Sequence, residues 1–291
     1  MTILVASDLD RTMIFSEAAA AMPTPGVHDL VCVEHFRDQP LSYMTRAATG
    51  LLREVTDAAL FVPTTTRTVE QYRRITLPGG PHRYAITSNG GNILVDSRPD
   101  EHWRAVVELR ISDSGAPLDH VTGELSRRID ASWVHNFRVA EELFCYLVVD
   151  LAAVPVAFVD EWTQWANDRN WAVSVQGRKI YTVPVALCKS AAVAHLRSRL
   201  ETRPECRDGV TVVAAGDGAL DAELLQYADN AIRPRHGELE RIGFHTPGLQ
   251  ITAAKGAAAG EEILRWMLAL TAAHRVRGRP FVGQTATEPE P

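Results

Sequence analysis

Two apolar runs far apart in the chain, Ile3-Leu4-Val5-Ala6 and Val210-Thr211-Val212-Val213-Ala214-Ala215, each lead into acid: Asp8-Leu9-Asp10-Arg11-Thr12 and Gly216-Asp217-Gly218-Ala219-Leu220-Asp221. Short, continuously apolar segments read as strands buried on both faces. Two or more carboxylates therefore emerge where buried strands end. Carboxylates forced together repel and take up protons unless a cation sits among them. A hard dication is the simplest compensation, and an all-oxygen donor set favours magnesium over zinc.

The signals around these runs alternate strand and helix, the pattern of a parallel sheet covered on both faces. Ile3–Ala6 reads as a strand, Gly50–Ala58 as a helix, Ala59–Pro63 as a strand and Thr68–Ile75 as a helix. A helix is expected from Lys189 to about Leu200, a strand over Val210–Ala215 and a helix from about Ala219 to Tyr227. Ala192, Val193, Leu196 and Leu200 share one face at helical spacing. The fold class is α/β, a doubly wound parallel-sheet core.

The middle of the chain has another character. Leu77-Pro78-Gly79-Gly80-Pro81 is a linker signal, and Asn89-Gly90-Gly91 between Arg83–Ser88 and Asn92–Val95 suits an antiparallel turn. Helical Leu118–Ala131, a strand Phe137–Val149, helical Val156–Asn170 and a hairpin about Gln176-Gly177 follow. The expectation is an α+β module over 81–185, inserted into a core formed by 1–80 and 186–275, with a flexible tail over 276–291. Glu17 to Thr45 is longer than a usual connection, and no chemistry is assigned to it.

A chain of 291 residues with net charge −6 disfavours nucleic acid and anionic membrane surfaces as partners, and points to a small molecule instead. Cys32, Cys145, Cys188 and Cys206 form no closely spaced pairs and lack zinc-type histidine spacing, so they read as reduced thiols in a cytoplasmic protein. The oligomeric state is open.

Thr64-Thr65-Thr66-Arg67 follows a strand and opens a helix, where hydroxyls and free amides can hold an anion; an N-cap with a solvated arginine is the plainer alternative. Lys189 stands in a first helical turn, where a cation opposes the helix dipole unless an anion faces it.

In this set and order the motifs resemble those of the haloacid dehalogenase superfamily of phosphotransferases. Asp8-Leu9-Asp10-Arg11-Thr12 matches its first motif, Thr65 its second, Lys189 its third and Gly216 to Asp221 its fourth. The insertion lies at the family's type-two cap position. Asn89-Gly90-Gly91 resembles the Asn-Gly element that begins such caps, and Lys255 to Gly260 resembles the C-terminal loop of the sugar-phosphatase branch. Within that branch of sucrose-phosphate and mannosyl-3-phosphoglycerate phosphatases, Pro63 to Thr68 is similar to the latter.

The resemblance implies a Mg²⁺-dependent phosphomonoester hydrolase acting on a small phosphorylated metabolite such as a sugar phosphate. Asp8 would be the nucleophile and Asp10 the acid and base, with Thr65 and Lys189 on the phosphoryl oxygens. Thr66, Arg67 and Asn89 would join the substrate contacts. Asp8, the main chain of Asp10 and Asp217 would hold the metal, and Asp221 would orient Lys189 or metal-bound water. As the acid, Asp10 should have its pKa raised relative to Asp8. Arg138, His135, Arg178 and Lys179 are cap candidates for the alcohol portion. A phosphomutase, a phosphatase for nucleotide-like substrates and a non-catalytic binding protein are the alternatives.

Overall fold

β1 (Thr2–Ser7) lies at the heart of a five-stranded parallel sheet, because nearly every side chain in it is apolar and buried. Numbering strands along the chain, the spatial order is β14 (Gln250–Ile251), β13 (Asn230–Arg233), β12 (Val210–Ala215), β1 and β4 (Leu60–Pro63). The computed structural model describes residues 2–20 and 29–277. Part of the long early connection, 21–28, and the tail from 278 onward lie outside the described residues, while the first two residues assigned to that tail complete the helix Gly256–Arg277.

Alternation along β1 sends side chains to both layers. Leu4 and Ala6 join Val62, Val212 and Ala214 in one apolar cluster, against Ala192, Val193 and Leu196 of the helix Lys189–Glu201. Ile3 and Val5 join Phe61, Val213 and Ala215 in the other, with Leu52 and Val55 of the helix Arg46–Ala58 and Ile263, Leu264 and Met267 of Gly256–Arg277. The sheet is thus doubly wound, as expected. The helix at Arg46 begins earlier than its apolar spacing suggested, because Thr45 Oγ1 caps the amide of Ala48 at 3.0 Å.

The early connection contains a hairpin of β2 (Leu30–Phe36) and β3 (Gln39–Thr45), with register shifts on either side of Glu34. A second hairpin, β5 (Tyr84–Thr87) and β6 (Asn92–Val95), continues to the short β7 (Arg98–Pro99). It adjoins the core sheet: Thr64 and Ile86 form a parallel bridge beside β4, and the Thr65 amide donates to the Ile86 carbonyl at 2.8 Å.

The inserted module has a four-stranded antiparallel sheet in the order β10 (Trp171–Gln176), β11 (Lys179–Pro184), β9 (Phe144–Val149) and β8 (Val134–Ala140). Helices Leu118–Arg128 and Phe158–Asn167 cover its apolar face through Val121, Leu125 and Trp162, whose indole donates to Thr182. One strand was expected over Phe137–Val149. There are two, because Glu141 and Glu142 adopt positive φ (50° and 59°) and reverse the chain. Hydrogen bonds to the Glu141 carboxylate from Ser88, Asn92 and the Val69 amide offset the strain of that turn. The helix expected over Thr68–Ile75 is a single turn, Val69–Tyr72, and the helix Glu101–Ser112 was not anticipated.

Gly90 links this architecture to the chemistry. Its φ is +99°, and a Cβ there would lie 2.3 Å from the Cys188 carbonyl oxygen, directly before Lys189. Gly90→Ala should therefore lower stability by about 1–3 kcal/mol, measured by chemical denaturation; an unchanged midpoint would mean that the turn does not brace this helix.

Candidate active site

Because β1 and β12 are parallel neighbours with Ser7 opposite Ala215, their carboxyl ends deliver Asp8 and Asp217 to the same place. The Asp8 amide donates to the Ala215 carbonyl at 2.9 Å. Asp221 completes the group. Asp8, Asp217 and Asp221 are buried, and each offers an oxygen within 4.8 Å of the others. Lys189, only 1 % exposed, donates to Asp8 Oδ1 at 2.6 Å and to Asp221 Oδ1 at 2.5 Å. The anion that a lysine in a first helical turn calls for is therefore a pair of carboxylates. Asp221 Oδ2 also accepts from the Gly218 amide at 2.9 Å.

Arg11 adds a second cation. It has φ 63°, and its Nε lies 3.2 Å from Asp217 Oδ2. The Arg11 carbonyl receives a hydrogen bond from His236, whose Nδ1 accepts from the Gly256 amide, so the proton resides on Nε2. Gly237 lies behind Asp217 at φ +89°, where a Cβ would fall 2.3 Å from Asp217 Oδ2. Only glycine closes that loop.

Charge and burial here suit a dication. Burial pushes the Asp8 carboxyl up to about 7; Lys189 opposes this, while Asp221 and Asp10 add to it. Asp217 is raised well above its ordinary value by burial, Asp8 and Asp221, against Arg11 and Lys189. The donors are carboxylate oxygens, the ligand chemistry of magnesium. All three acids have partners: Asp8 accepts from Lys189 at Oδ1 and from Thr12 at Oδ2, Asp217 pairs with Arg11, and Asp221 accepts from Lys189 and the Gly218 amide.

Asp10 departs from expectation. Arg67 holds it with a two-pronged contact, Nε to Oδ2 at 2.7 Å and Nη2 to Oδ1 at 2.8 Å. Burial acts upward on its pKa, but Arg67, then Lys179 and Lys189, outweigh it and bring Asp10 down to about 2. The expected order of the two acids is inverted: Asp8 is raised and Asp10 lowered. The cause lies in Arg67, neither a solvated cap nor free for an anion. Its third prong, Nη1, donates to Glu34 Oε1 at 2.7 Å. Glu34 is fully buried, and its other oxygen accepts from Ser42 at 2.5 Å.

Glu34 and Ser42 belong to the β2–β3 hairpin and carry no motif. The one available signal was a lone acid ending the apolar run Leu30-Val31-Cys32-Val33.

The remaining expected residues are distributed as follows. Thr65 and Thr66 are buried beside Arg67, with Thr65 Oγ1 accepting from the Arg67 amide at 3.1 Å. Asn89 donates its side-chain amide to the Leu187 carbonyl at 2.8 Å, which ties its turn to the approach of Lys189. In the module, His135, Arg138 and Arg178 are exposed, whereas Lys179 is half-buried and acts electrostatically on Asp10. Glu238 bridges the two parts of the chain: it accepts from Ser174 Oγ at 2.5 Å, the Val175 amide at 2.9 Å and the Ala219 amide at 2.9 Å. A cavity of about 370 Å³ bounded by Tyr72, Leu77, His82 and Leu94 contains none of the carboxylates.

Two measurements follow from these charges. Asp8 holds a proton in the folded chain that the unfolded chain releases above its ordinary value of 3.8, so without metal its contribution to stability falls as pH rises from there towards 7, and Asp217, also raised, acts in the same direction. Asp10 acts oppositely: its contribution is present above 3.8 and lost as pH falls towards 2. Since metal ligands must be deprotonated, added Mg²⁺ should raise the thermal midpoint more at pH 7 than at pH 5; an equal rise at both would contradict this charge distribution. Glu34→Ala, by leaving Arg67 with a buried prong unpaired, should cost about 3 kcal/mol of unfolding free energy. A loss below about 0.5 kcal/mol, within the range of ordinary surface substitutions, would mean that the hairpin carboxylate does not hold Arg67.

No protein-family model matches the sequence, and no curated protein matches it either. Solved structures do match. Sucrose-phosphatase from Synechocystis, solved with sucrose and phosphate, aligns over 91 % of this chain and 97 % of its own at 14 % identity, with TM-score 0.58. A Thermoplasma acidophilum protein aligns over 92 % and 98 % at 14 % identity, TM-score 0.56. The C-terminal domain of C. albicans trehalose-6-phosphate phosphatase aligns over 92 % and 93 % at 11 % identity, TM-score 0.52. The chain shares its fold with sucrose-phosphatase and with the trehalose-6-phosphate phosphatase domain.

Proposed function

We propose that the chain is a Mg²⁺-dependent phosphomonoester hydrolase, acting on a small phosphorylated metabolite such as a sugar phosphate in the cytoplasm. The observation that carries this reading is the buried ammonium of Lys189 between Asp8 and Asp221, with Asp217 alongside. Such an arrangement combines a nucleophile, a cation and a dication site in one buried cluster. The fold shared with sucrose-phosphatase supports the same reading.

In this mechanism one Asp8 oxygen attacks phosphorus and the ester P–O bond breaks, leaving an aspartyl-phosphate and the free alcohol. Water then attacks phosphorus, the Asp8–phosphorus bond breaks, and inorganic phosphate leaves. Lys189 neutralises the non-bridging oxygens, positioning and charge stabilisation being the main requirements of phosphoryl transfer. Thr65, buried beside Arg67, would assist in orienting the phosphoryl group. Asp10, ionised in the fork of Arg67, is ready to accept the proton of the attacking water. Giving a proton to the departing alkoxide requires that the fork open and that Asp10 first take up a proton from solvent, which passes to the alkoxide as the ester bond breaks.

Asp8, Asp217 and the main chain of Asp10 would hold Mg²⁺, with Asp221 keeping Lys189 in place. When bound, the ion neutralises charge on the phosphoryl group. The inserted module, assigned to 81–185 with β5 and β6 kept against the core sheet, acts as a lid that excludes water and contacts the alcohol portion.

Asp8→Asn and Asp10→Asn should each lower phosphate release from a phosphomonoester in Mg²⁺ by about a thousandfold or more, and a chelator should abolish release by the unaltered protein. Full activity in either variant would refute the assigned roles.

A further inference from the structure

The core-facing side of the antiparallel sheet carries a charge that the phosphoryl chemistry does not use. Tyr146 and Tyr181 are direct cross-strand partners with rings 5.4 Å apart, and Lys179, two residues before Tyr181, projects from the same face. That face is turned to the core: Ser174, opposite Tyr181, reaches Glu238, and the Tyr146 hydroxyl accepts from Gln71 at 3.2 Å. The Lys179 ammonium lies 5.5 Å and 5.7 Å from the two ring centroids.

Among the described residues, no carboxylate forms an ion pair with Lys179 within 4.0 Å. Tyr181 acts on it first, and among carboxylates Asp10, both of whose oxygens are already held by Arg67. Tyrosine faces ease the enclosure of a cation but do not neutralise it. An ammonium half-withdrawn from water beside an occupied carboxylate is well placed for a further anion. The location identifies which part of a substrate would bring it. Lys189 is bonded to Asp8, where phosphorus would be attacked, whereas the face bearing Lys179 is tied through Tyr146 to Gln71, in the turn that follows Arg67, and Arg67 grips Asp10, the acid assigned to the departing alcohol.

We infer that the alcohol portion of the substrate carries an oxyanion of its own, a carboxylate or a second phosphate, which Lys179 binds while the faces of Tyr146 and Tyr181 pack against the carbon skeleton. This substrate class rests on the phosphatase reading, but it is tested by binding, without turnover. Asp8→Asn protein in Mg²⁺ is titrated calorimetrically with two matched pairs: 3-phosphoglycerate against glycerol 3-phosphate, and glucose 1,6-bisphosphate against glucose 6-phosphate. Within at least one pair the charged member should bind tenfold or more tightly, the first pair reporting a carboxylate and the second a phosphate. The added substitution Lys179→Met should reduce that preference to less than threefold, and Lys179→Arg should retain most of it. Equal affinities within both pairs, or a preference that survives Lys179→Met, would overturn the inference. Phosphate release by the unaltered protein is a separate result and decides the phosphatase reading alone.

Discussion

A lysine buried between two aspartates governs this structure. Lys189 lies 181 positions from Asp8 and 32 from Asp221 in the chain, yet its ammonium is within hydrogen-bond reach of both. Removing three charges from water is costly, and their attraction offsets that cost only when geometry holds every partner. The parallel sheet supplies that geometry. β1 and β12 end level with one another, the Gly218 amide fixes Asp221, and the turn at Gly90 packs against the backbone leading to Lys189. With Asp8, Asp217 and Asp221 all ionised, Lys189 and Arg11 leave the group an excess of negative charge, which burial otherwise relieves by raising Asp8 and Asp217. A dication is the natural complement.

The second half of the site is arranged around Arg67, and here the connection between β1 and its helix matters. The β2–β3 hairpin sends Glu34 inward, so Arg67 is gripped by Glu34 on one side and Asp10 on the other. Asp8 and Asp10 are two residues apart but have opposite electrostatic surroundings, one dominated by burial and the other by a guanidinium. The inserted module lies against the core through two more carboxylates. Glu141 reaches Ser88, Asn92 and the Val69 amide, and Glu238 reaches Ser174, Val175 and Ala219. Both contacts join a carboxylate to neutral donors. The module therefore turns the face bearing Lys179 and the two tyrosines to the core.

The core strands, the helix at Lys189 and the meeting of Asp8 with Asp217 were legible because each depends on local pattern plus parallel-sheet geometry. A continuous apolar run marks a strand buried on both faces, and acids at its end mark the ligand side of an open α/β sheet. What escaped was set by tertiary contact. Arg67, next to three threonines, resembled part of an anion site, and nothing in its neighbourhood announces that Glu34 will hold it. The reversal at Glu141 was hidden because its left-handed backbone is supported by distant partners rather than by glycine or asparagine. The helix Glu101–Ser112 buries only Trp103 and Val107, too sparse an apolar stripe to be recognised.

The central claim is that the buried carboxylates converge to hold one divalent ion. Its most direct test is a calorimetric titration of Mg²⁺ into the metal-free protein at neutral pH, beside the same titration of Asp217→Asn. One ion per chain is predicted for the unaltered protein, with binding weakened at least a hundredfold by the substitution. Equal binding by both proteins, or no binding by the first, would contradict the account.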